Sequence, residues 1–203
     1  MAHPRDRDQL RRNIKQQRRA LSAEALESAG AALCQHLQQL PPISAGSRVG
    51  GYLAANGEIP VDAALAAYRD QGCYTYVPVI IEAQLQFVPL QETTPLQIGK
   101  FNIRIPQYSP ADALMPEQLD LVLVPLVVFD TAGHRLGMGG GFYDQSFAFR
   151  LHQQPGSEQR FVGVAHHFQH HDDLPQESWD VPLDMIVTDQ GIISPAREHD
   201  AEP

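Results

Sequence analysis

Residues 119–144 read LDLVLVPLVVFDTAGHRLGMGGGFYD. The first ten, residues 119–128, are nearly all apolar, the pattern of a strand covered on both faces, as in a parallel sheet. Glycine then fills four of five positions, Gly137, Gly139, Gly140 and Gly141, and a helix is predicted from about Asp144 to Gln153. A buried strand running through a glycine-rich turn into a helix is an α/β unit, whose ligands bind beyond the carboxyl ends of the strands. Glycines there let the backbone approach a ligand and take positive φ, and the loop N–H groups would face an anion. Arg135 adds a forked donor, and Asp144 is the kind of carboxylate that holds a magnesium ion bridging phosphates. The loop lacks the Gly-Lys-Ser/Thr of a P-loop, and Phe142 stands where a dinucleotide fingerprint needs its third glycine. A plain βα connection is the simpler reading. A mere connector, however, has no need of Arg135, Tyr143 and Asp144, so phosphate binding is favoured.

Working outward, strands are predicted at 48–54, 74–81, 85–90, 161–165 and 185–188. Pro78 and Pro89 suggest that the second and third of these bend or lie near an edge. Helices are predicted over 6–20, from a Ser22 cap to about Leu40, and over 61–70 before Gly72. Residues 91–118 are proline-rich and read as irregular. The expectation is one α/β domain over residues 1–196, a largely parallel (mixed) sheet flanked by helices with an N-terminal helical extension. Residues 197–203 read as a disordered tail.

Charge is unevenly placed. The 203-residue chain is net −9, yet residues 1–19 hold seven of its fifteen Lys and Arg and two acids, leaving this head at +5 and the rest at −14. An acidic body argues against general nucleic-acid binding. Arg7, Arg11, Lys15 and Arg19 recur at spacing four, with Arg18 beside them, so one helix face carries like charges that repel. A nucleoside triphosphate would reverse that cost; so would RNA, and a solvated face whose cations meet the acidic body is the third reading. Two cysteines, Cys34 and Cys73, are too few for a disulfide framework, and the polar start resembles no signal segment. A soluble, cytoplasmic protein without membrane contact is expected.

Weaker constellations are ambiguous. Glu58 precedes a helix, where it serves either a polar ligand or the helix start. His166, His167, His170 and His171 have helical spacing but sit in a polar stretch that reads as a surface loop, so no metal is assigned to them. Asp180 and Asp184 precede the last predicted strand and either reach the strand-end crevice or end a loop.

The segment from Pro125 to Asp144 (PLVVFDxxGxRLGxGGGFYD) resembles the signature of the 5-formyltetrahydrofolate cyclo-ligase family. The likeness extends to the N-terminal Arg-Arg-Ala-Leu-Ser stretch, to Gly57-Glu58-Ile59 and to Trp179-Asp-x-Pro-Leu-Asp184. The resemblance implies a cyclo-ligase (NagB/RpiA/CoA transferase-like) architecture and an ATP-driven cyclisation. In that chemistry ATP phosphorylates the formyl oxygen of 5-formyltetrahydrofolate, nitrogen 10 attacks the activated carbon, and loss of phosphate gives 5,10-methenyltetrahydrofolate.

Position by position, the family's pattern assigns ATP to Arg7, Arg11, Arg135, Gly137, Met138, Gly139, Gly140, Gly141, Phe142 and Tyr143. It assigns the folate to Leu53, Glu58 and the stretch Met138, Gly139, Gly140, Gly141 and Phe142, and Mg2+ to Asp144 and Asp184. Arg135, Tyr143 and Asp144 are its expected catalytic residues. Arg7 replaces the family's usual lysine, Phe142 replaces the first tyrosine of Tyr-Tyr-Asp, and Ile103 falls where some members have an aromatic folate contact. The expected partners are small molecules, 5-formyltetrahydrofolate and ATP, with no nucleic acid or membrane, and a monomer. An inactive folate- or nucleotide-binding relative and an RNA-binding module are the rival readings.

Overall fold

The computed structural model describes residues 4–99, 104–152, 159–172, 174 and 176–195. Ile103 and the predicted tail at 197–203 lie outside the described residues.

Helix α1 (Pro4–Arg19) is followed by α2 (Ala23–Leu37), which Ser22 caps by accepting from Ala25 N at 3.2 Å. Strand β1 (Arg48–Gly50), α3 (Asp62–Asp70), β2 (Tyr74–Ile81) and β3 (Gln84–Pro89) come next. The proline-rich stretch, expected to be irregular, holds a small hairpin of β4 (Leu96–Ile98) and β5 (Arg104–Pro106) and two 3-10 turns. The long apolar run divides into β6 (Leu121–Pro125) and β7 (Val128–Phe129), and β7 pairs antiparallel with β8 (Arg135–Leu136). Helix α4 (Phe142–Ser146) is one turn with a 3-10 turn after it, where a longer helix was expected. Strands β9 (Arg160–Ala165), β10 (Met185–Thr188) and β11 (Gly191–Ile193) complete the chain.

Among the described residues the main sheet has seven strands in the order β11-β10-β9-β6-β1-β2-β3. The five inner strands are parallel, and only the two edges, β11 and β3, run antiparallel. Pro78 therefore lies in an inner strand, and Pro89 on an edge. Strand β6 behaves as its composition requires. Leu121 and Leu123 pack on one face with Leu33, Leu37 and Leu65 of α2 and α3, while Val122 and Val124 pack on the other with Phe87, Phe147 and Phe161. Leu10 and Ile14 lay α1 against Val127, Val128 and Leu136 of the β7–β8 hairpin.

This order fixes the crevice. From β1 the chain moves to β2 on one side and, later, to β6 on the other, so the topology reverses between β1 and β6. The loops leaving the carboxyl ends of those two strands diverge there and leave room for a ligand.

Candidate active site

One wall of the crevice is the segment after β1. Leu53 packs with Val77, Val79 and Val88, and the turn that follows has Asn56 and Gly57 at positive φ. Glu58 closes the turn by accepting from Ala55 N at 3.0 Å. Its carboxylate is pushed up by desolvation and pulled back by Arg18, whose Nη2 lies 3.7 Å from Oε1. Tyr52 donates to Ile59 O at 2.7 Å and makes the floor firm.

The opposite wall is the glycine loop. Gly139 and Gly141 take φ of +103° and +66°, conformations that side chains rarely adopt, so the glycines there are a backbone requirement. Arg11 reaches across from α1 and donates from Nε to Gly137 O at 2.9 Å, while its Nη1 pairs with Asp8 at 2.8 Å. Arg7, one turn earlier, faces Asp180 at 3.4 Å and Glu177 at 3.8 Å. Met138 is 51 % exposed at the tip of the loop, and Phe142 packs beneath it in the aromatic core. Part of the basic head is thus docked on the acidic body. The like-charge crowding is still felt, because Lys15 is pulled down by partial burial and then by Arg11, Arg18 and Arg19.

Between the walls stands Tyr143, stacked on Phe147 with ring centroids 5.9 Å apart. Its hydroxyl is buried without a hydrogen-bond partner among the described residues. Burial drives its pKa far up, Glu58 adds to the rise, and Arg135 opposes it. The phenol therefore stays protonated and senses a charge from each wall.

Arg135 corrects an expectation. It was read as an open donor fork for phosphate, but its side chain is only 4 % exposed and the fork is used inside the protein. Nη2 holds Asp144 Oδ1 at 2.6 Å, Nη1 donates to Val181 O, and the guanidinium lies 5.4 Å from the Phe161 ring centroid. Asp144 Oδ1 also accepts from Val181 N at 3.1 Å. Both bonds fall on one oxygen and the side chain stays 26 % exposed, so the other oxygen remains for a cation.

Asp184, expected to share a metal ion with Asp144, pairs with an arginine of its own. It sits at the amino end of β10, where its Oδ2 accepts from Phe161 N at 2.7 Å and from Arg150 at 2.8 Å. Among the described residues no cluster of three or more His, Cys, Asp or Glu is arranged for a metal.

His166 also differs from its expectation. It is 2 % exposed rather than on the surface, with Nε2 3.2 Å from Gly57 O. Burial lowers its pKa, so the ring sits neutral against the Glu58 turn. Sequence reasoning passed over Arg18 and Arg150 as site residues and left Asp180 undecided. The readable signal for Asp180 was acid opposite a basic head.

The family likeness extends along most of the chain. A family model described as the 5-formyltetrahydrofolate cyclo-ligase family covers residues 4–189. The chain belongs to this family. It is 33 % identical over 178 residues to 5-formyltetrahydrofolate cyclo-ligase of Escherichia coli strain K12, covering 86 % of this chain and 96 % of that protein. The structure of a 5,10-methenyltetrahydrofolate synthetase from Mycoplasma pneumoniae superposes with a TM-score of 0.69 at 29 % identity, over 91 % of this chain and 99 % of that one. The NMR structure of Aquifex aeolicus 5,10-methenyltetrahydrofolate synthetase gives 0.76 at 26 % identity, over 97 % and 99 %.

Proposed function

We propose that this protein converts 5-formyltetrahydrofolate to 5,10-methenyltetrahydrofolate at the expense of ATP, releasing ADP and phosphate. One observation carries the reading beyond family membership. The buried, unpartnered Tyr143 hydroxyl stands where the Glu58 wall and the Arg135–Asp144 wall meet, at the switch point of the sheet. A nucleotide on one wall and a folate on the other would meet beside it.

The chemistry suits such a site. The formyl oxygen attacks the γ-phosphorus and ADP departs, which turns a poor leaving group into phosphate. Nitrogen 10 then adds to the activated carbon, its proton is lost, and phosphate leaves to give the methenyl bridge. None of these steps needs a covalent bond to the enzyme, so the protein contributes positioning and charge stabilisation.

In this reading Arg7, Arg11 and the loop from Gly137 to Tyr143 take the triphosphate. Leu53, Glu58 and the loop face receive the folate, with the Glu58 carboxylate accepting from N–H groups of the pterin edge. The Tyr143 hydroxyl donates to an oxygen of the transferring group. Arg135 acts from inside by aiming Asp144 rather than by touching phosphate. Mg2+ fits at the spare oxygen of Asp144, because magnesium is commonly bound by one or two carboxylates plus substrate phosphates. Bound there, it would neutralise phosphate charge. Asp184, whose bonds to Phe161 N and Arg150 both fall on Oδ2, keeps Oδ1 for the same ion. A cytoplasmic monomer completes the reading. Among the described residues no helix is long and apolar enough to cross a membrane.

The test is direct. The protein is mixed with 5-formyltetrahydrofolate, ATP and magnesium, and methenyltetrahydrofolate is followed by its near-ultraviolet absorbance. Product is expected only with ATP and is lost with a chelator; absence of ATP-dependent product refutes the reading. RNA binding is disfavoured because the body behind the basic head is net −14.

A further inference from the structure

Arg18 is 1 % exposed and heads the fully buried side chains by size, yet neither sequence pattern nor proposed chemistry gives it a task. Helix α1 delivers it beneath the switch point. Its Nε and Nη2 each donate to Asn56 O at 3.3 Å, and Nη1 donates to Leu126 O at 3.4 Å. One guanidinium therefore ties the turn after β1 to the exit of β6. It also lines a small hollow with Tyr52, Glu58, Ile59, Pro125 and Gln169.

Three weak carbonyl bonds do not explain a full charge at this depth. Burying a guanidinium is costly unless an opposite charge compensates it. Glu58 Oε1 lies 3.7 Å away and supplies the compensation. The relation is mutual, since Glu58, at 17 % exposure, has itself lost most of its water. Arg18 stands on the buried side of the carboxylate, so the remaining exposure of Glu58 is toward the crevice.

Other groups around Glu58 do not replace this charge. Tyr52 donates to Ile59 O, Tyr143 is a neutral phenol, and neutral His166 is spent on Gly57 O. Gly57 leaves no slack either, because a Cβ on it would come within 2.3 Å of Arg18 O.

We propose that Arg18 is a positioning residue for the folate: from behind, it holds Glu58 ionised and aimed into the crevice, where the carboxylate accepts from the pterin N–H donors. The inference rests on the proposed function, which supplies the ligand. Desolvation raising the Glu58 carboxyl while Arg18 lowers it agrees with the geometry.

The experiment measures the Kd of 5-formyltetrahydrofolate without ATP, between pH 5 and 8, for wild type, R18M, R18K, E58Q and R18M/E58Q, each checked for folding by circular dichroism. R18M is expected to move the acidic limb of the profile up by about one unit, so that Kd weakens up to about tenfold on that limb and progressively less as pH rises above it. R18K keeps the charge and is expected to keep the limb. In the E58Q background, adding R18M is expected to change Kd less than twofold, because the two residues act as one unit. If R18M does not fold, R18Q, which keeps donors for the carbonyls but not the charge, carries the same comparison. Equal weakening in both backgrounds, or an unmoved limb, overturns the proposal and leaves Arg18 a loop tie. Wild type that binds no 5-formyltetrahydrofolate overturns the functional reading as well, so the two failures are distinguishable.

Discussion

Replacing Asp144 by asparagine separates two roles that the sequence alone would merge. As a metal ligand on the surface, Asp144 would be lost with little effect on folding. The structure says otherwise, because Asp144 Oδ1 neutralises Arg135, whose side chain is 4 % exposed. Breaking a buried ion pair costs about 3–5 kcal/mol, since the surviving charge is left uncompensated. Asp144 is itself 26 % exposed, so solvent screening reduces this; we expect about 2–3 kcal/mol. The Val181 carbonyl and the Phe161 ring stay with Arg135 and limit the loss further.

Urea unfolding of D144N should show a lowered midpoint with an unchanged slope. For a domain of this size the melting temperature should fall by roughly 4–12 °C. Adding R135M should return part of the stability, because apolar replacement of a buried pair is often neutral or better. Activity stays absent in both. An inactive D144N that melts within a degree of wild type would refute the reasoning, leaving metal binding as its sole role.

The remaining predictions concern the Glu58 turn, acid stability and a helix cap. Gly57→Ala should abolish folate binding before it abolishes ATP binding, because φ is +73° and the new Cβ would meet Arg18 O at 2.3 Å; separate titrations of the two ligands check this. His166 is neutral when folded, with its pKa held below the ordinary value of about 6.5. The unfolded chain therefore binds more protons below that pH, and stability, complete above it, falls as pH drops toward the depressed value. Urea midpoints across pH 5–7 should record that fall, and a folded H166Q should lack it. Ser22→Ala removes the acceptor for Ala25 N and should cost about 1 kcal/mol in the same unfolding assay without changing KM for ATP.

Much of the fold was legible because its signals are local. The α2 cap, Gly72 ending α3 and the doubly apolar β6 depend on neighbours a few residues away. Strand β10 was placed at its observed bounds for the same reason. The errors occurred where tertiary contacts override local pattern. Residues 126–128 look like more of the central strand, yet the chain leaves the sheet after Pro125 so that β7 can pair with β8. The helix expected after the loop stops at Ser146, whose hydroxyl is drawn to Leu85 N at 2.9 Å.

The sequence by itself determined the α/β class, the glycine-rich turn after the central strand and, through its signature, the family. It also singled out Glu58, Asp144 and Arg11 as candidate site residues. It did not say which arginines reach solvent, because burial of a charge is decided by partners far along the chain. Arg18 finds carbonyls 38 and 108 residues away, and Arg135 finds one 46 residues away. Only the folded sheet, by bringing those acceptors together at its switch point, makes such burial affordable. The basic head that looked uniform in sequence is thereby divided: Arg7 and Arg11 stand at the rim, while Arg18 lies beneath Glu58.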